Sequence, residues 1–84
     1  MRAYVLIQSE VSANREELTD ELVRIPGVHV AQRVSGPYDI IAEVDGDGVG
    51  ITDIVARISS TGGVLRALIS PVVEGPGAAS VDAA

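Results

Sequence analysis

The order of strand and helix patterns along the chain predicts an α+β fold with one four-stranded antiparallel sheet. Four segments carry strand-like runs of aliphatic residues, and two segments repeat aliphatic residues at helical spacing. The length of 84 residues fits one domain. The two halves also echo each other, with Arg-Ile at 24–25 and 57–58 and Gly-Val at 27–28 and 63–64. This βαββαβ order is that of the ferredoxin-like, split-βαβ fold.

The first half supplies two strands and a helix. Residues 3–9 read as a strand that is apolar on both faces, which predicts a central position in the sheet. Asn14 with Glu17 three residues later predicts the start of a helix, and Pro-Gly at 26–27 predicts its end. Residues 28–34 alternate as a second strand. The apolar stripe of the helix comprises Leu18, Leu22 and Ile25.

The second half repeats the pattern. Ser-Gly-Pro at 35–37 predicts a turn, residues 38–44 a third strand, and the acidic, glycine-rich run 45–50 a flexible connector. The second helix has an apolar stripe of Ile51, Ile54, Val55 and Ile58, and a fourth strand covers 64–73. From Glu74 onward Pro, Gly, Ala and Ser dominate, so we expect a folded domain over 1–73 and a mobile tail over 74–84.

Composition restricts the partners of such a domain. With no Cys, no disulfide or Cys-ligated zinc can support a core that is thin at this size. One sheet face remains apolar after both helices are placed, so we expect a second subunit there. The net charge of −6, with six Arg and no Lys, opposes binding to nucleic acid or to an anionic membrane. No targeting signal is visible, and we expect a cytoplasmic protein.

Several short patterns invite a chemical role and are better explained otherwise. Glycines at 46, 48 and 50 lack the spacing of a phosphate loop and no Lys follows them. Asp45, Asp47 and Gly50 fit three positions of a calcium loop, but Ala56 stands where its bidentate acid belongs. Asp39 and Glu43 share a strand face without an aromatic-rich cleft. With one histidine, His29, and no nucleophile motif, we expect no enzyme activity, metal or cofactor.

The most informative stretch is the turn that ends in Tyr38 and Asp39. On one interpretation it is a good hairpin in which Pro37 fixes φ, Gly36 allows the turn, and Asp39 bonds local backbone amides. On the other it forms a small polar pocket in which Asp39 receives an ammonium group and Tyr38 provides a wall. The residues alone favour neither interpretation, since polar loop residues serve both purposes.

Four motifs, in order and spacing, resemble the effector-binding (RAM) domain of the Lrp/AsnC regulators. They are Arg-Ala-Tyr-Val-Leu-Ile at 2–7, Ile-Pro-Gly-Val at 25–28, Gly-Pro-Tyr-Asp at 36–39 and Gly-Val-x-Arg at 63–66. The resemblance implies a dimeric α/β barrel, larger rings of dimers, and amino-acid effectors bound between dimers. It places Gly36, Tyr38 and Asp39 in the ligand site. No helix-turn-helix pattern precedes the first strand, so we expect the stand-alone form.

One departure from the family concerns the last strand, which often reads Arg-Thr-x-Thr and holds the ligand through its hydroxyls. The matching positions here are Ala67 and Ile69, which have no hydrogen-bonding side chain. The site therefore takes a more apolar ligand, or the domain only assembles.

We expect a small-molecule-binding, oligomer-forming regulatory module without DNA-binding of its own, working with a DNA-binding paralogue. The competing hypotheses are a dimeric α/β-barrel monooxygenase-like enzyme and a purely structural assembly subunit.

Overall fold

The computed structural model describes residues 1–73, and the tail predicted over 74–84 lies outside the described residues. The elements are β1 (Arg2–Ser9), α1 (Arg15–Val23), β2 (Val28–Arg33), β3 (Ile40–Asp45), α2 (Gly48–Ser59) and β4 (Val64–Pro71). The strands pair antiparallel in the order β2-β3-β1-β4. The predicted ferredoxin-like fold is confirmed, with β1 and β3 at the centre of the sheet.

The core lies between the two helices and one face of the sheet. Its members are all aliphatic, since the sequence offers no Phe or Trp. Burying one large aliphatic side chain contributes about 1.5–3 kcal/mol to stability. The central strands supply Ala3, Val5, Ile7, Ile40, Ala42 and Val44, and the helices supply Leu18, Leu22, Ile51, Ile54 and Ile58.

Both helices begin at a side-chain cap. The Oδ1 atom of Asn14 accepts a hydrogen bond from the Glu17 N–H at 3.0 Å, which confirms the predicted start of α1. Asp47 Oδ1 accepts one from the Gly50 N–H at 2.6 Å. Because this cap satisfies a free N–H, α2 begins at Gly48. The prediction of a flexible connector over 45–50 was therefore wrong at its end, because Gly48 and Gly50 belong to the helix.

A bulge in β2 corrects the strict alternation predicted for that strand. Val28 pairs with Val44 and Val30 with Glu43, so one extra residue, His29, lies between two successive pairs. Val28 therefore faces the helices and is buried, whereas Val30 faces the opposite side of the sheet and is 46 % exposed.

Three strands are shorter than predicted. β2 ends at Arg33 and β3 begins at Ile40, because residues 34–39 form the connecting loop instead of pairing along a ladder. Asp39 still donates its N–H to the carbonyl oxygen of Ile7 at 2.9 Å. β4 ends at Pro71, which pairs with Ala3 near the start of β1.

The face of the sheet away from the helices, called the open face, has an apolar centre. Leu6 pairs with Ile41 on one side and Leu68 on the other, which makes an aliphatic row across three strands. Tyr4 and Val30 extend it, and Leu68 is 43 % exposed. The surrounding side chains on this face are Arg2, Gln8, Gln32, Glu43, Arg66 and Ser70. Within residues 1–73, neither helix is long and apolar enough to cross a membrane.

Candidate functional site

The loop between β2 and β3, residues 34–39, holds the turn motif singled out in the sequence. Gly36 has φ +135°, a conformation that other residues rarely adopt, and a Cβ there would meet nothing within 4 Å. Glycine is thus needed for the backbone path and not for space. The Val34 N–H donates to the carbonyl oxygen of Asp39 at 2.9 Å and closes the loop.

The carboxylate of Asp39 connects this loop to two other elements. Its Oδ2 atom accepts hydrogen bonds from the Ser9 N–H at 2.8 Å and the Ser9 hydroxyl at 3.0 Å. Its Oδ1 atom accepts one from Arg15 Nε at 3.3 Å. Asp39 therefore joins the end of β1 to the start of α1. From the sequence, Asp39 was expected to bond backbone amides of its own turn. The backbone amide that it bonds belongs to Ser9, 30 positions away.

These contacts lower the pKa of Asp39 below its ordinary value of 3.8. The largest cause is the backbone N–H of Ser9, followed by its hydroxyl, and the charge of Arg15 adds to them. Partial desolvation acts in the opposite direction and is outweighed. The group is an ionised carboxylate with one edge still open, since 23 % of its side chain is exposed.

The other residues predicted for the ligand site lie at different distances from Asp39. Tyr38 is half-buried in the same loop. Ala67 pairs with Ile7 on the far side of β1, and Ile69 pairs with Val5 further along. Two strand spacings, about 10 Å, therefore separate Asp39 from Ala67. Within one chain, the loop and the two β4 residues do not line a common pocket.

The remaining carboxylates predicted as candidates have other partners. Glu43 lies 3.7 Å from Arg2, so Asp39 and Glu43 do not form an acid pair. Asp45 lies 3.5 Å from the N-terminal amine and 3.9 Å from His29. In the described part of the chain, no group of three or more His, Asp or Glu residues comes together as a metal site would require.

Two shallow clefts flank the helices and do not include the turn. One, of about 300 Å³, lies between the start of α1 and the glycine turn before β4, with Glu10, Glu17 and Glu21 at its edge. The other, of about 320 Å³, lies between the start of α2 and Pro26. In loop 34–39, residues 34–37 are exposed, and Tyr38 and Asp39 are half-buried.

Two residues of this site were missed in the sequence. Ser9 continues the buried side of β1 after Ala3, Val5 and Ile7, and a polar residue in that position signals a buried hydrogen bond. Arg15, the first residue of α1, is 45 % exposed and contacts Asp39. No sequence signal marks that pair, which depends on how α1 sits on the sheet.

The chain matches no protein-family model. Over 66 residues it is 33 % identical to the HTH-type transcriptional regulator LysM of Saccharolobus solfataricus. The match covers 77 % of this chain and 46 % of that protein, so the chain spans about half the length of this curated relative.

Solved structures share the fold. TTHA0845 from Thermus thermophilus is 29 % identical with a TM-score of 0.72, over 88 % of this chain and 96 % of that one. FFRP-DM1 is 24 % identical with a TM-score of 0.71, over 86 % and 97 %. The hypothetical protein PHS023 from Pyrococcus horikoshii is 22 % identical with a TM-score of 0.70, over 94 % and 98 %. The last two show the fold alone. The chain is thus similar in sequence to a transcriptional regulator.

Proposed function

We propose that the chain is a regulatory module that self-associates through its open face and binds a small effector, without binding DNA itself. The observation that carries this proposal is the open face, where an aliphatic row around Leu6 has no cover from residues 1–73. The similarity to the regulator LysM supports the regulatory part. A DNA-binding partner would then deliver the response. Absence of enzyme activity is part of the proposal, and regulator-like relatives favour it.

The composition of the open face fits a second copy of this chain. Its apolar centre is surrounded by polar side chains, as in protein interfaces. The rim carries both signs of charge, positive at Arg2 and Arg66 and negative at Glu43. In a two-fold symmetric dimer the same face of each copy contacts the other, so opposite charges can pair across the interface. The pair of sheets would form the dimeric α/β barrel that the resemblance to the Lrp/AsnC domain implies.

The effector part rests on loop 34–39, where the family motif is intact. Asp39 presents a partly exposed carboxylate, and the half-buried Tyr38 precedes it in the loop. Ala67 and Ile69 lie two strands away on the helix side of the sheet, opposite Ile7 and Val5, and Ala67 packs against the core. A copy on the open face does not reach them, so a pocket that uses all of these residues requires a further copy on the helix side. The effector in this proposal is an amino acid, held between copies, with a preference for apolar side chains.

A thermal-shift screen of the twenty amino acids tests the effector part. We expect at least one apolar amino acid to raise the melting temperature with increasing concentration, since a ligand that binds only the folded state stabilises it. Asp39→Asn should abolish that shift, and Asp20→Asn, on the exposed surface of α1, should keep it.

A purely structural assembly subunit is the second candidate, and the missing hydroxyls at Ala67 and Ile69 favour it. It predicts an intact oligomer whose melting temperature responds to none of the twenty amino acids. That result would contradict the effector part and leave the assembly part standing.

A further inference from the structure

The side chains of Arg15 and Asp39 form a partly exposed pair of opposite charges beside loop 34–39. Arg15 Nε lies 3.3 Å from Asp39 Oδ1, and the two side chains are 45 % and 23 % exposed. Arg15 is the first residue of α1, directly after the Asn14 cap, so the helix fixes its backbone. The Asp39 carboxylate is fixed by Ser9. The carboxylate is therefore held in place before any ligand arrives, and the Arg15 guanidinium lies next to it.

Part of the hydrogen-bonding capacity of this pair is unused. A carboxylate offers about four lone-pair positions, and a guanidinium has about five N–H donors. Ser9 uses both positions on Oδ2, and Arg15 Nε uses one on Oδ1. Within residues 1–73, Oδ1 keeps one acceptor position, and the terminal N–H groups of Arg15 make no hydrogen bond. A single free acceptor thus lies next to a fork of free donors.

We propose that this pair binds the charged end of a zwitterion. The ammonium group of the ligand contacts Oδ1 of Asp39, and its carboxylate lies against the terminal N–H groups of Arg15. An α-amino acid carries both charges on one carbon, so its two groups lie side by side as the protein pair does. The inference rests on the proposed effector function. It adds Arg15 as the residue that selects for a free carboxylate.

Charge complementarity explains why both ligand groups are needed. A planar guanidinium binds a carboxylate through two parallel hydrogen bonds, which gives geometric selectivity as well as affinity. A ligand with only an ammonium group would place a positive charge next to Arg15. A ligand with only a carboxylate would place a negative charge next to Asp39. The zwitterion alone meets an opposite charge at both ends.

Calorimetric titration of the full 84-residue chain with three matched probes tests this inference. The probes are L-leucine, L-leucinamide, which lacks the carboxylate, and 4-methylpentanoate, which lacks the ammonium group. We expect leucine to bind about tenfold or more tightly than either analogue, as for the loss of a charge-assisted hydrogen bond. Arg15→Gln should remove the preference for leucine over leucinamide, by weakening the binding of leucine and not that of leucinamide. The matched control is Arg24→Gln, about 14 Å further along α1, which should behave as the parent.

The outcomes separate this inference from the proposed function. If leucine and leucinamide bind the parent equally well, or if Arg15→Gln still discriminates between them, the Arg15 role is overturned and effector binding stands. If none of the twenty amino acids binds, both are overturned. Circular dichroism of Arg15→Gln without ligand should show a folded chain, so that a loss of leucine binding reports on the site and not on folding.

Discussion

The side chain of Asp39 determines how loop 34–39 is held on the sheet. Its three hydrogen bonds go to Ser9 and Arg15, which belong to other elements. Buried polar groups are costly when they lack a partner, and Ser9 is the one buried polar residue of the described chain, at 5 % exposure. Asp39 is therefore a structural residue of the fold as well as a candidate ligand residue.

Asp39→Asn should make the chain less stable at neutral pH. It should also make the stability of the fold decrease less steeply as the pH is lowered. In the folded chain the pKa of Asp39 lies below its ordinary value of 3.8. The folded state then binds fewer protons than the unfolded state as pH falls. The contribution of Asp39 is therefore full above about pH 5 and is lost as pH drops through the folded pKa.

Melting temperatures from pH 7 down to about pH 2 measure this effect. Parent and Asp39→Asn curves should converge in acid and separate toward neutral pH. Asp20→Asn, an exposed carboxylate of α1, is the control and should follow the parent. Parallel curves for Asp39→Asn and the parent would contradict the assignment of these bonds.

Local signals were sufficient for some residues of the chain and not for others. The Asn14 cap was predicted because its partner, Glu17, is three positions away. Asp39 was singled out by its turn, but its partners are 24 and 30 positions distant and depend on tertiary packing. A sequence pattern of a few residues cannot predict contacts between such distant positions.

The connections that lead into the edge strands occupy equivalent places in the two halves. Gly27 precedes β2 and Gly63 precedes β4, and both have φ +96°. Any other residue there is strained by about 1–2 kcal/mol. The surroundings differ, however. A Cβ on Gly27 would contact Ile54 Cδ1 and lie 3.0 Å from its Cγ1, whereas a Cβ on Gly63 would lie 3.3 Å from the Ala13 Cβ.

Gly27→Ala should therefore destabilise the chain more than Gly63→Ala. Both variants carry the same backbone strain, and only the first drives a methyl group into a buried isoleucine. Urea unfolding followed by circular dichroism gives both losses in free energy of unfolding. Ile54→Val removes Cδ1, so in the Gly27→Ala background it should cost less than in the parent.

Equal losses for the two glycine variants would show that Ile54 moves aside without cost. A full, additive cost of Ile54→Val in both backgrounds would indicate the same, because additive effects mean that the two sites do not interact.

All six elements were predicted from aliphatic periodicity, and the differences lie at their ends and in one register. The alternation over 28–34 is regular in the sequence, so nothing there marks the bulge at His29. The bulge depends on pairing with β3. Likewise, α2 begins at Gly48, inside the segment predicted as a connector. The Asp47 cap there outweighs the low helix propensity of glycine.

Charge and topology of the whole molecule argue against direct DNA binding. The net charge is −6, and both helices of the described residues pack their apolar sides on the sheet. Neither helix is therefore free to enter a groove, and phosphates would meet a field of the same sign.

Selection of the isolated 84-residue chain against a random duplex library should enrich no sequence. The salt concentration should be about 150 mM, where the Debye length is about 8 Å and nonspecific attraction is screened. Recovery of a reproducible motif under these conditions would overturn the proposed division of labour with a DNA-binding partner.

The open face is the part of the described chain where apolar side chains of the sheet have no helix packed over them. A core this small buries limited apolar surface, and the chain has no disulfide to support it. Leu6, Ile41 and Leu68 form a continuous apolar row on a face that a second copy can cover. Exposed apolar patches of this kind mark interaction sites. Self-association through this face is thus the basis of the proposed function.

Molar mass by light scattering at micromolar concentration tests whether the chain self-associates. The chain has a mass of 8.7 kDa, and we expect twice that value or a higher multiple. Leu68→Arg places a charge in the apolar row and should lower the mass toward that of one chain. The control Val11→Arg, at a position 93 % exposed in the β1–α1 connection, should leave it unchanged. A parent mass of 8.7 kDa at all micromolar concentrations would contradict the claim.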